Sequence, residues 1–336
     1  MNILITGGAG YIGSVLVNKL ITLSNETNYS EKKSGRISSF DEASHFVESG
    51  DIVVFDNLMY HQTTLTEHCY RSNFKFIYGD IRDKESLKKQ VEQADIIIPL
   101  AALVGFPICE KLPQQAVEIN YKQIEDIISF CNNNQKIIFP NTNSGYGIGQ
   151  NDLFCTEETP LAPISTYGIT KCHAEDLILK YGGIVLRLAT VFGVSTRMRL
   201  DLLVNDFVYK SLTDGYLVLF EKDFKRNYIH IQDVALTFIY MINKYSDFSG
   251  EVFNVGLSNA NLSKYELALK IKEYIPDLVI KIEDFKKDPD QRNYIVSNEK
   301  LEKTGWRPYY SLDDGINELI KAYKIIVPNN RKFSNL

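Results

Sequence analysis

The chain has 336 residues, 44% hydrophobic and 24% charged, the composition of a globular protein with room for two lobes around a cleft. A net charge of −5 gives no electrostatic reason to expect nucleic acid as a partner, so an anionic ligand needs locally placed cations. The five cysteines are scattered singly without CxxC spacing, which argues against a disulfide framework or a zinc site. No apolar run reaches the ~18–20 residues of a membrane span. The start MNILITGG leads directly into a strand without a basic leader, so the expected location is the cytoplasm and no metal is expected.

In chain order, the apolar run Asn2–Thr6 ends in GGAGYIGS, and an amphipathic stretch, Val15–Leu23, follows. Gly7, Gly10 and Gly13 therefore form G-x-x-G-x-x-G between a strand and a helix. That arrangement supplies a tight turn, a backbone open to a pyrophosphate and close helix–strand packing. Tyr11 and Ile12, inside the turn, are expected to touch the same dinucleotide.

The polar segment 24–50 reads as an insertion, with Ser39 and Glu42 spaced as a capping box for a short helix. Further strands are expected at 51–56, 74–78, 94–102, 136–140 and 183–189, and helices at Lys84–Gln93, Gln114–Asn132 and Ser165–Lys180. Near-continuous apolar strands alternating with helices indicate a parallel sheet covered on both faces. The expected fold class is α/β, a Rossmann-type doubly wound parallel sheet with a smaller mixed α/β substrate-binding lobe. The first unit spans 1–188, with part of 227–256 returning to it; the lobe spans 189–330, and 331–336 is a tail.

Asp56 ends the second strand, where a carboxylate accepts both hydroxyls of an adenine ribose. No Arg or Lys follows until Arg71, so NAD is expected rather than NADP. Asn57, Asp80 and Ile81 are placed to flank the adenosine half, and Leu100, Ala101 and Ala102 offer small groups beside the cofactor.

The fifth strand runs into NTNSGYG, putting Thr142 at its carboxyl end. Tyr167 and Lys171 stand at i and i+4 of the next helix and so share a face. Tyrosine, with a pKa of about 10, is a poor base at neutral pH. A nearby ammonium and the positive nicotinamide both favour the phenolate. The pattern predicts a proton abstraction by Tyr167 coupled to hydride loss to NAD, with Thr142 orienting the hydroxyl and Lys171 also holding the nicotinamide ribose.

With these residues, RNYIHIQDVA (226–235) and GWRP (305–308), the chain resembles the extended short-chain dehydrogenase/reductases that act on nucleotide-diphosphate sugars. The resemblance covers nearly the whole chain apart from 24–50 and the last residues. It implies that Thr142, Tyr167 and Lys171 are the catalytic trio. It also implies that Arg226 and Arg292 grip the diphosphate of the sugar nucleotide, for which a forked guanidinium is suited. Asn205, Arg199, Val104, Asn143 and Ser144 are the remaining expected substrate contacts, and Arg197 shares a segment with Arg199.

The family's 4,6-dehydratases carry an acid just after the catalytic Thr, whereas Asn143 and Ser144 stand here. Its C3/C5 epimerases carry a nearby cysteine, which Ser144-Gly145 does not supply. Oxidation at C4 remains, with the ketone either released or reduced back as a 4-epimer. The runs IIIPLAALVG, PNTNSGYGIG, RLATVFG, RMRLDLLVNDF and DPDQRNYIVSN resemble most closely the members that oxidise a GDP-heptose at C4. That likeness implies a GDP-D-glycero-α-D-manno-heptose substrate and reoxidation of bound NADH by a 2-keto acid such as 2-oxoglutarate. It also implies a homodimer joined through Gln114–Asn132 and Ser165–Lys180. A UDP- or GDP-sugar 4-epimerase and a non-catalytic NAD-binding sensor are the alternative expectations.

Overall fold

The computed structural model describes residues 1–26, 50–132, 134–149, 153–283 and 292–327. The helix expected inside 24–50 and the 331–336 tail lie outside these residues. The first half alternates strand and helix as its apolar runs require. It comprises β1 (Ile3–Thr6), α1 (Tyr11–Glu26), β2 (Ile52–Asp56), β3 (Phe74–Tyr78), α2 (Lys84–Val91) and β4 (Ile96–Pro99). Then follow α3 (Phe106–Lys111), α4 (Pro113–Val117), α5 (Gln123–Phe130), β5 (Lys136–Thr142), β6 (Phe154–Cys155), α6 (Thr166–Tyr181) and β7 (Ile184–Leu188).

The helix expected over Gln114–Asn132 is interrupted by a π-helical turn, Glu118–Lys122, between α4 and α5. The turn rotates Asn120 inward, where its carboxamide pairs with both backbone groups of Leu103 and donates to Thr170 Oγ1 at 3.3 Å. The wider turn thus meets the hydrogen-bonding needs of a buried loop, a frequent setting for π-bulges.

Beyond β7 come β8 (Thr190–Phe192), α7 (Leu203–Thr213), β9 (Tyr216–Leu219), β10 (Lys225–His230), α8 (Ile231–Asn243), α9 (Tyr245–Phe248) and β11 (Val252–Val255). The chain continues through β12 (Asn261–Ser263), α10 (Lys264–Tyr274), β13 (Val279–Ile282), β14 (Ile295–Val296), α11 (Glu299–Lys303) and α12 (Leu312–Ile326).

Seven parallel strands form the central sheet in the order β11-β7-β5-β4-β1-β2-β3. Small sheets pair β12-β10-β8, β13-β9 and β14-β6. Alternation along β1 sends Ile3 and Ile5 to one core and Leu4 to the other, so both faces of the sheet are covered. The Ile3 side continues without a break into Phe192, Phe238, Trp306 and Tyr323, and α1 packs on α8. From β1 the chain winds outward to β3 and returns to β4 on the other flank of β1. That reversal opens a crevice at the carboxyl ends of β1 and β4, where ligands of such sheets bind. Among the described residues no helix is long and apolar enough to cross a membrane.

Candidate active site

One deep cavity occupies that crevice, lined from the β1–α1 turn at one end to Tyr167 and Arg292 at the other. Gly7 has φ +69° and donates its N–H to Phe55 O at 2.9 Å. A Cβ on Gly7 would lie 2.5 Å from Ala101 N, and one on Gly13 would lie 2.6 Å from Gly8 Cα. Both positions are glycine because backbone packs against them. Gly10 meets only Gly7 O at 3.1 Å and lines the cavity, so the loop lies bare where a pyrophosphate would approach. Helix α1 starts at Tyr11, and the N–H groups of its first turn, through Tyr11, Ile12 and Gly13, form an anion-binding end at the cavity. The glycine cradle and this helix end fit a dinucleotide.

Asp56 is buried and lines the same end. Its carboxylate accepts the N–H of Ala9 at 3.0 Å and of Leu58 at 2.8 Å. Burial raises its pKa, and those two backbone donors oppose the rise. Asn57, Asp80, Ile81, Leu100, Ala101 and Ala102 all line this part of the cavity. Arg82, the nearby cation, is committed to Asp80 through a two-point pair at 2.9 and 2.7 Å.

The loop after Asp56 carries three non-glycine residues in the left-handed region, Leu58, His61 and Leu65. Such residues are held only where surrounding contacts over-determine them. Here Gln62 reaches back to Asp56 at 3.4 Å, and Thr64 donates to Ala9 O at 2.9 Å. The loop delivers Met59, Tyr60 and Gln62 to the cavity, and the Tyr60 ring lies 4.6 Å from the Arg197 guanidinium. Nothing in the sequence pattern announces these three residues.

At the other end, Thr142 closes β5, and its hydroxyl donates to Ser144 Oγ at 2.9 Å while accepting the Ser144 N–H at 3.1 Å. Ser165 caps α6 by accepting the Gly168 N–H at 3.1 Å, which sets the first turn that carries Tyr167. Tyr167 and Thr142 both line this end of the cavity. Lys171 is buried one turn on, its Nζ 3.8 Å from the centroid of the Phe139 ring.

Burial pushes the Tyr167 phenol up to about 12, aided by Cys109 and opposed by Arg199, Arg292 and Thr142. Burial also lowers Lys171 to about 7, against Cys172 and Glu175. The charges that favour the Tyr167 phenolate here include Arg199 and Arg292. Desolvation outweighs a single neighbouring charge here.

The cations lining the cavity among the described residues are Lys171, Arg197, Arg199 and Arg292. Arg199 is buried and paired with Asp201 at 3.2 and 2.5 Å, and Arg292 donates to Ser144 Oγ. Val104 and Ser144 line the cavity with them.

Three expected substrate contacts do not line it. Asn205 is fully buried, accepting the Gly193 N–H at 3.1 Å and donating to Arg199 O at 2.9 Å and to the Tyr11 hydroxyl at 3.2 Å. It braces the segment behind Arg199. Arg226 is buried in β10, donating to Lys225 O at 2.9 Å with its guanidinium 5.6 Å from the Tyr294 ring. Tyr294, and not Arg226, faces the cavity. Asn143 is buried in the turn after β5, and its carboxamide has no hydrogen-bond partner. Among the described residues the acids lining the cavity are Asp56 and Asp80, both away from Thr142 on the β2 and β3 side.

A profile of the NAD dependent epimerase/dehydratase family matches residues 3–256. The low-salt glycan biosynthesis protein Agl12 of Haloferax volcanii is 26% identical over 337 residues, covering 96% of this chain and 98% of that protein. The dTDP-glucose 4,6-dehydratase DesIV of Streptomyces venezuelae, solved with NAD, superposes with a TM-score of 0.78 at 22% identity, over 97% of each chain. The UDP-glucose 4-epimerase of Thermus thermophilus, also solved with NAD, superposes with a TM-score of 0.75 at 22% identity, over 96% of this chain and 99% of that one. The chain belongs to the NAD dependent epimerase/dehydratase family, and its cofactor is NAD.

Proposed function

We propose that this family member oxidises the C4 hydroxyl of a nucleotide-diphosphate sugar to the 4-ketone, with GDP-D-glycero-α-D-manno-heptose as the substrate. The observation that carries the reading is the Thr142–Tyr167–Lys171 group at the cavity end of β5, with no carboxylic acid lining the cavity beside it among the described residues. A 4,6-dehydration needs such an acid to protonate the leaving C6 oxygen. Asn143 is amide, not acid, and its side chain is turned out of the cavity. Cys109 and Cys172, the nearby thiols, do not line the cavity either, which counts against C3/C5 epimerisation.

NAD, when bound, supplies the nicotinamide that takes the C4 hydrogen as hydride. Thr142 holds the C4 hydroxyl in line, and Tyr167 accepts its proton. Arg199 and Arg292 favour the phenolate, as a cationic nicotinamide would when bound. Lys171 would hold the nicotinamide ribose through its Nζ. Arg199 and Arg292, which line the cavity, would bind the diphosphate, for which forked donors are suited. The two electrons removed in each turnover pass to a 2-keto acid, and 2-oxoglutarate reduced to 2-hydroxyglutarate is the acceptor of choice. The resemblance across PNTNSGYGIG and RMRLDLLVNDF favours this sugar and this acceptor.

A 4-epimerase is the second reading. The same residues serve it, and a fold shared with a UDP-glucose 4-epimerase is compatible with it. A silent sensor is disfavoured by the intact Tyr167 and Lys171. The test is a panel of GDP-, UDP-, dTDP- and CDP-sugars with the product carbonyl located by mass spectrometry after borodeuteride trapping. A carbonyl at C4 from a GDP-heptose supports the proposal, and products lacking any trapped carbonyl point to epimerisation. We assign the protein to the cytoplasm as a homodimer joined through the α4–α5 and α6 faces.

A further inference from the structure

Below the reacting groups lies a buried ion pair that none of the steps above uses. Arg187 on β7 and Glu175 on α6 meet at 2.5 Å with side-chain exposures of 6% and 2%. The arginine Nε lies 3.2 Å from both carboxylate oxygens. Asn141, the residue before Thr142, donates its amide to the same carboxylate. Asn141 and Arg187 are direct partners across the β5–β7 ladder. Arg187 also donates to the Tyr146 hydroxyl at 2.9 Å, which in turn donates to Asn254 Oδ1 at 2.7 Å.

We propose that Glu175 is a positioning residue: it ties the α6 turn bearing Lys171 to the β5 end bearing Thr142 and sets a carboxylate one helical turn from the Lys171 ammonium. The inference rests on Lys171 acting as a cation toward the nicotinamide ribose.

Glu175 follows Lys171 by four residues and so lies on its face of the helix. Burial penalises the Lys171 charge, and Cys172 and Glu175 are the groups that oppose the penalty. The strand beneath offers only the Phe139 ring and the neutral Asn141. From β7 comes Arg187, whose positive charge would work against Lys171 if Glu175 did not neutralise it. Burial disfavours the Arg187 cation, but the Glu175 and Tyr146 contacts together outweigh this and hold its pKa above the ordinary value. Glu157 is occupied by the Asn254 N–H at 2.7 Å, and Asp176 acts on Cys172. Tyr167, on the other side of Lys171, answers instead to Cys109, Arg199 and Arg292. Glu175 is thus the carboxylate acting on Lys171 among the described groups.

The test is the pH dependence of NADH binding to the whole protein, followed by the nucleotide's fluorescence, which needs no sugar substrate. In the wild type, affinity should fall as pH rises through the Lys171 pKa. Glu175→Gln leaves Arg187 uncompensated, so that fall should move to lower pH by about one unit, the effect of one nearby buried charge. Arg187→Met should leave the fall in place or move it to higher pH. The double variant should return toward the wild type, and Glu175→Asp, which restores the charge, should do so as well. A packing role alone would make both single variants err in the same direction.

An unmoved fall in Glu175→Gln, or parallel shifts in both single variants, would overturn the assignment of Glu175 while leaving Lys171 in its role. A wild type whose NADH affinity shows no fall above neutral pH would overturn the Lys171 reading and the inference with it. If Glu175→Gln does not fold, the double variant and Glu175→Asp still decide. A fall displaced in the double variant, or one that Glu175→Asp does not restore, would overturn the assignment.

Discussion

The Lys171 ammonium lies 3.8 Å from the centre of the Phe139 ring, on the strand that ends three residues later at Thr142. The contact binds the helix that carries Tyr167 to the strand that carries Thr142. An aromatic face stabilises a cation by about 0.5–2 kcal/mol, more when desolvated. Here that is less than burial takes away, since the net shift of Lys171 is downward, to about 7.

Tyr167→Phe should retain the fold and NAD binding and lose turnover by about 10²–10⁴, the contribution of a positioned proton-transfer group. Steady-state rates beside NADH titration check this. Near-normal turnover would remove Tyr167 from its role.

The ligand-free protein should grow more stable between pH 7 and 10 through Lys171. Its folded pKa lies below the unfolded value of 10.5, so the unfolded chain binds more protons in that window. The contribution is complete above the unfolded pKa and lost as pH falls through about 7. It amounts to on the order of 3–5 kcal/mol at most. Lys171→Met should flatten this rise, so its melting temperature should exceed that of the wild type near pH 6 and draw level by pH 10. Equal pH dependence in the two proteins would contradict the burial of this charge.

Asp56→Asn should weaken NAD about tenfold to a hundredfold, the range for a hydrogen bond to a charged group, and leave the sugar nucleotide untouched. Calorimetric titration of each ligand separates the two effects. Tighter binding of NADP than NAD by the wild type would contradict the role of the second strand.

Arg199→Met should raise the KM for the sugar nucleotide by about tenfold to a hundredfold. Arg199→Lys should recover little, because a point charge lacks the fork. An unchanged KM in both variants would leave Arg199 as a partner of Asp201 alone.

The parts of this molecule that follow from local chemistry could be seen in its sequence. The aliphatic runs became parallel strands, and the glycines fell where backbone from β1, β4 and α1 converges. The Tyr–Lys spacing gave a shared helix face. What depends on packing could not be seen. Leu58, His61 and Leu65 take left-handed backbone that no residue pattern signals, and so Tyr60 and Gln62 reached the cavity unannounced. Asn205 and Arg226 are of types suited to phosphate and sugar. Yet the first is consumed by Gly193, Arg199 and Tyr11, and the second lies a layer behind Tyr294. The burial that raises the Tyr167 pKa is likewise set by how much water the surrounding side chains exclude, a property of the assembled cavity.

Multiple turnover with and without an acceptor tests the central claim most directly. An epimerase needs no external oxidant, because hydride returns to the sugar within the same cycle. A net 4-dehydrogenase that retains its cofactor stops after one turnover. With a GDP-heptose alone, the account predicts 4-ketone at most stoichiometric with enzyme and a persistent absorbance of reduced nicotinamide. Adding 2-oxoglutarate should release many turnovers and an equal amount of 2-hydroxyglutarate. Continued formation of the C4 epimer with no acceptor present would contradict it and make the protein an epimerase.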